Sequence, residues 1–97
     1  MKTVWSPLAI ERVTEIAEYI TNDSPTAAEK WIDAIFEQVE KIENFSQIGR
    51  VVPEANREEI RELIYKNYRI IYRLDEARIL ILTVRHGKQI LPEEELK

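Results

Sequence analysis

The apolar residues of this 97-residue chain change their spacing once, and that change constrains its fold more than any other feature. Up to about residue 45 they recur at i, i+3, i+4 and i+7, and from about residue 58 they alternate. The first pattern is one face of a helix and the second is one face of a strand. A chain this short holds one core. Both apolar sets are therefore expected to meet in it, with helices laid on one side of an antiparallel sheet.

The helical part carries its own punctuation. Thr3–Trp5 is short and β-branched and reads as a strand. Ser6-Pro7 then gives a side-chain cap followed by the one residue whose missing N–H costs nothing in the first turn. The spacing of Ala9, Val13, Ile16, Ala17 and Ile20 predicts a helix from Pro7 to about Thr21. Ser24-Pro25 repeats the signal and predicts a second helix to Asn44. Its stripe is Ala28, Trp31, Ile32, Ile35, Phe36, Val39 and Ile42, with Phe45 beyond, and Trp31 is expected in the core. The short link makes the two helices an antiparallel hairpin.

After an irregular loop over residues 46–56, marked by Gly49 and Pro53, three strands are predicted. They are Glu58–Lys66, Tyr68–Leu74 and Arg78–Arg85, joined by tight turns at Lys66-Asn67, where Asn tolerates positive φ, and at Asp75-Glu76-Ala77. The last strand is the most apolar and is expected near the sheet centre. The predicted fold is α+β, in the order β-α-α-β-β-β, with a helical hairpin packed on one face of an antiparallel sheet. One domain spans 1–97. Residues 88–97 read as a polar tail, either mobile or ending in a short helix, in which Glu93-Glu94-Glu95 is solvated.

Composition removes several chemistries. The chain has no cysteine, which excludes disulfides, thiolate-ligated metals and thiol catalysis. One histidine and two glycines leave no transition-metal cluster, P-loop or dinucleotide fingerprint, so no metal and no cofactor are expected. No stretch is long and apolar enough to span a membrane, and the N-terminus lacks the apolar core of a signal peptide, so a cytoplasmic address is expected. The net charge of −4 is unevenly spread. Residues 1–49 carry four basic against nine acidic side chains, and residues 61–88 carry seven basic against three acidic. Such asymmetry points to faces with different partners.

Within the strands, Arg61, Leu63 and Tyr65 share one side, as do Arg69, Ile71 and Arg73, and as do Ile79, Ile81, Thr83 and Arg85. The expectation is that these sides coincide in one surface of four arginines and a tyrosine, suited to a phosphate, a carboxylate or a stacked base. The competing expectation is that Arg61, Arg69 and Arg73 are consumed by Glu58, Glu62 and Asp75. His86, beside Gly87, is the sole histidine and a candidate general acid or base.

Gly49-Arg50-Val51-Val52-Pro53-Glu54, Ile60-Arg61-Glu62-Leu63, Tyr68-Arg69-Ile70-Ile71-Tyr72-Arg73 and Val84-Arg85-His86-Gly87, in that order, resemble the RelE/ParE toxin superfamily of type II toxin–antitoxin modules, also called plasmid-stabilisation proteins. The resemblance runs from the first helix to Gly87. It implies growth arrest relieved by a cognate antitoxin, and two possible targets. ParE-like members inhibit DNA gyrase. RelE-like members are ribosome-dependent, metal-independent mRNA endoribonucleases. As a nuclease the chain would use Arg61, Arg69, Arg73 and His86, with Glu58 or Glu59 where some members keep a carboxylate base. As a binder it would use Arg61, Tyr65, Arg69, Arg73, Arg85 and His86. The tail has no Tyr or His, and a net negative chain is poorly suited to ribosomal RNA, so the ParE-like reading is favoured. No membrane contact is implied, and DNA is reached only through the antitoxin.

Overall fold

A computed structural model describes residues 2–87 and 89–97; Met1 and Lys88 lie outside the described residues. Strand β1 (Lys2–Trp5) leads into α1 (Pro7–Asp23), and α2 (Pro25–Asn44) returns antiparallel to it. Then come β2 (Arg50–Val51), β3 (Ile60–Tyr65), β4 (Tyr68–Leu74), β5 (Arg78–His86) and a 3₁₀ turn at Glu93–Leu96.

The helix boundaries follow from their caps. Ser6 Oγ accepts the N–H of Ala9 at 3.0 Å and donates to the carbonyl of Leu82 at 2.9 Å. One hydroxyl therefore starts α1 and ties it to β5. Ser24 Oγ accepts the N–H of Ala27 at 3.1 Å, and Pro7 and Pro25 occupy the first turns. Ala9, Trp31, Ile35, Val39 and Ile42 are buried against Ile70, Tyr72, Ile79, Ile81 and Val84 of the sheet.

The sheet order is β1-β5-β4-β3-β2, so β4 is the middle strand and β5 is interior beside it; β1 runs parallel to β5 while the other neighbours are antiparallel. The segment read as irregular over residues 46–56 contains β2, an edge strand in which Arg50 faces Glu62 and Val51 faces Arg61. Two residues are too few to show a period. Gly49 is required here by close approach: a Cβ would lie 2.5 Å from the carbonyl oxygen of Glu62 and 2.7 Å from Tyr72 Oη. Tyr72 Oη accepts the N–H of Gly49 and donates to the carbonyl of Ser46, both at 2.9 Å, pinning the loop to the sheet.

Register overturns the expectation of one four-arginine face. The two-residue turn Lys66-Asn67 sets Tyr65 opposite Tyr68, so Leu63 faces Ile70 and Arg61 faces Tyr72. Odd residues of β3 thus share a face with even residues of β4, because directly opposed residues point the same way. Arg61, Leu63 and Tyr65 lie on the helix side. Arg69, Ile71 and Arg73 lie on the other side, opposite Ile64, Glu62 and Ile60. A bulge between Ile71 and Tyr72 then pairs Ile71 with Thr83 but Tyr72 with Ile81. Leu82 is the extra residue, and it switches the alternation of β5. Ile79 and Ile81 therefore pack under the helices, while Thr83 and Arg85 turn outward with Arg69. At the turn the positive φ, 53°, falls on Lys66 rather than on Asn67.

The outer face is covered too. Val52, Ile60, Ile71, Leu82, Leu91 and Leu96 form a second buried cluster, contributed partly by the loop after β2 and partly by the C-terminal segment. The tail read as solvated is in this part a cover. Glu93 and Glu94 are exposed, but Leu91, Glu95 and Leu96 are buried. Its apolar residues are too few and too widely spaced to show a period.

Candidate functional site

The outer face carries an ordered chain of arginines and glutamates. Glu62, on the central outward position of β3, is fully buried. It accepts from Arg50 Nε at 2.7 Å and from Arg69 Nε. The two terminal nitrogens of Arg69 form a bidentate pair with Glu54, at 2.8 and 2.9 Å. Hydrogen bonding to Glu54 raises the Arg69 pKa further above its ordinary value, and the same contact holds the Glu54 carboxyl below the usual carboxylate range.

One strand over, Arg85 stands directly opposite Arg69 and is held by Glu95 through both Nε, at 3.1 Å, and Nη2. Glu95 also accepts from Thr83 Oγ1 at 2.8 Å and from Arg12 Nη2 of α1 at 3.4 Å. Burial alone would raise the Glu95 pKa; the hydrogen bonds from Arg85, Thr83 and Arg12 outweigh it and hold the carboxyl at about 2. Burial also opposes the charge of Arg12, but Glu95 and Glu15 raise its pKa overall.

Of the residues picked from the sequence, Arg69, Arg73 and Arg85 share the outer face. Arg61, Tyr65 and His86 lie in register with the helix side. Arg61 donates to the backbone carbonyls of Gly49 at 2.9 Å and of Glu58 at 3.1 Å. Tyr65 packs beside the helices. Arg73 sits about 13 Å along β4 from Arg69. It binds Asp75 at 3.3 Å and the terminal carbonyl of Lys97. The expected pairings Arg69–Glu62 and Arg73–Asp75 are therefore present, whereas Arg61 uses the carbonyl of Glu58 rather than its carboxylate. Glu59 pairs with Arg57 at 2.6 Å instead of reaching toward the outer arginines.

Arg69 and His86 are both found at the end of the sheet where β5 finishes beside the β3–β4 turn. They line an open cleft of about 430 Å³ together with Arg50, Glu54, Ile64, Lys66, Asn67 and Gly87. The His86 ring stacks edge-on against Tyr68 at 5.6 Å, and the backbone N–H of His86 donates to Gln89 Oε1 at 3.2 Å. Arg50, Glu54 and Lys66 were not among the residues singled out for function. The turn at Lys66-Asn67 was the available signal for Lys66, since it brings both strand ends to one place.

This architecture matches known proteins along almost its full length. Residues 3–91 match the family described as the ParE toxin of the type II toxin–antitoxin system parDE. The chain is 29% identical over 88 residues to Toxin RelE3 of Caulobacter vibrioides, covering 90% of this chain and 96% of that protein. Its fold superposes with a TM-score of 0.76 and 22% identity on a chain of the chromosomal ParDE toxin–antitoxin system of P. aeruginosa, over 91% of this chain and 97% of the other. The protein therefore belongs to the ParE toxin family of type II toxin–antitoxin systems, within the RelE/ParE superfamily.

Proposed function

We propose that this toxin arrests growth by inhibiting DNA gyrase, as a binding protein rather than a nuclease, and that a cognate antitoxin neutralises it. The observation that carries this reading is the pairing of its outer-face arginines with carboxylates. Arg69 donates to Glu54 and Glu62 and Arg85 to Glu95, while Arg73 binds Asp75 and the backbone oxygen of Lys97 and Arg61 binds backbone carbonyls. Stabilising a pentacoordinate phosphorane needs donors already aimed at an empty position. Here Arg69 and Arg85 are aimed at carboxylates of the chain itself.

A second reading has one observation in its favour. The cleft that joins Arg50, Lys66, Arg69 and His86 gathers cations beside an imidazole, as a ribosome-dependent mRNA endonuclease requires. For the antitoxin, the fold offers an apolar groove beside the helices, lined by Trp5, Ile10, Val13, Ile32 and Phe36, in which Ile10 and Phe36 remain exposed. No helix among the described residues is long and apolar enough to cross a membrane.

The deciding experiment is tightly controlled expression with mapping of mRNA 5′ ends, run alongside a gyrase supercoiling assay. Intact mRNA with supercoiling inhibited is the expected result. New cuts inside translated codons with normal supercoiling, abolished by His86→Gln or Arg69→Ala, would overturn it.

A further inference from the structure

A second cavity lies on the helix side of His86, between α1 and the ends of β4 and β5. It has a volume of about 530 Å³ and is lined by Glu15, Ile16, Tyr19, Tyr68, His86 and Gln89. Three of those six side chains are aromatic rings. Tyr68 and His86 meet edge-on at 5.6 Å, which sets two walls at a steep angle, 76°. Tyr19 is 74% exposed on α1 and separates this cavity from a neighbouring cleft lined by Glu15, Glu18, Thr21 and Asn22. Ile16, half-buried, supplies an apolar wall.

Tyrosine ring faces carry negative potential, so Tyr19 and Tyr68 with the Glu15 carboxylate at the rim of this open cavity suit a cation. The helix wall of the cavity is acidic: all nine acidic side chains of residues 1–49 fall within the two helices, against Arg12, Lys30 and Lys41, and Glu15 lines the cavity itself. Glu15 accepts from Arg12 at 3.1 Å, but Arg12 is shared with Glu95, and a carboxylate has room for further donors. Glu18 adds a second carboxylate one turn along the same helix.

We propose that this cavity receives an arginine side chain presented by a protein partner, with the guanidinium against Tyr19, Tyr68 and His86 and its N–H groups directed to Glu15. An arginine fits better than a second copy of this chain offering its own helices, since two acidic helical layers repel. The proposal is independent of whether gyrase or mRNA is the target, because it rests on the cavity's rings and charge alone.

The test is a titration of the purified full-length chain with N-acetyl-arginine amide, followed by amide NMR shifts, with N-acetyl-norleucine amide as the uncharged control. The expected result is saturable shifts at residues 15, 16, 19, 68, 86 and 89 with the arginine probe and not with the control. Tyr19→Ala, at an exposed position that leaves the fold intact, should weaken binding roughly two- to fivefold. Glu15→Gln should weaken it in low salt and less so in high salt. Equal shifts with the control, shifts spread without saturation over the acidic face of α2, or undiminished binding by Tyr19→Ala would each overturn the proposal.

Discussion

Arg69 and Arg85 stand directly opposite each other on β4 and β5, and each is neutralised by a glutamate delivered by a different covering segment. Like charges opposed across a ladder are destabilising. The pair is tolerated because Glu54 arrives from the loop after β2 and Glu95 from the C-terminal 3₁₀ turn, while Glu62 supports Arg69 from beneath. The electrostatics of the sheet and the folding of its two covers are thus one problem.

Acid stability should report on Glu95. Its folded carboxyl sits at about 2 against an ordinary value of 4.5, so the proton is disfavoured in the native state. Its contribution is whole above about pH 4.5 and is lost as pH falls toward 2, with a size of about 3 kcal/mol. Urea unfolding between pH 5 and 2 should show this loss, and Glu95→Gln should flatten the slope while lowering stability at neutral pH.

The two glutamates that hold Arg69 should differ in cost. Glu62 is buried between Arg50 and Arg69, so Glu62→Gln leaves guanidinium charge underneath the covers and should cost roughly 3–5 kcal/mol. The Glu54 side chain is 37% exposed, and Glu54→Gln should cost about 1 kcal/mol or less. Denaturant midpoints of the two variants, measured side by side, check the ranking.

Gly49 should resist any side chain. Alanine there drives its Cβ into the backbone of Glu62 and into Tyr72 Oη, and overpacking of this kind costs typically about 1–3 kcal/mol. Tyr72→Phe removes the acceptor for the Gly49 N–H and the donor to Ser46, for about 1–3 kcal/mol. Because both changes act on one contact, the double variant should fall short of the sum, as a double-mutant cycle by thermal or urea unfolding would show.

The two helix caps should also differ. Ser24→Ala removes a cap alone, at about 1 kcal/mol. Ser6→Ala removes a cap and the tie to Leu82, and should cost about 1 kcal/mol more. Equal losses in calorimetric stability would show that the link to β5 contributes nothing.

Much of this was legible beforehand. Ser6-Pro7 and Ser24-Pro25 start their helices, Asn44 ends the second, and Trp31, Ile35 and Ile42 are core, because caps and stripes are local properties. The interior position of β5, between β1 and β4, follows from its apolar content. Which arginines share a face was only half legible. The turn at Lys66-Asn67 already dictates that Arg61 and Arg69 point opposite ways, whereas the bulge at Leu82, which turns Thr83 and Arg85 outward, has no marker such as a glycine.

What the sequence by itself determined is therefore the set of elements, their order and the apolar faces they bury, since these depend on neighbours three, four or two residues apart. What only the tertiary structure decided is the pairing of charges. Arg69 and Glu54 are 15 residues apart, Arg85 and Glu95 are 10, and Arg12 and Glu95 are 83. Whether a guanidinium meets a carboxylate over such separations depends on register, on one extra residue in β5 and on where two irregular segments fold back. None of these leaves a periodic trace in the chain, because each is set by contacts formed only once the sheet exists.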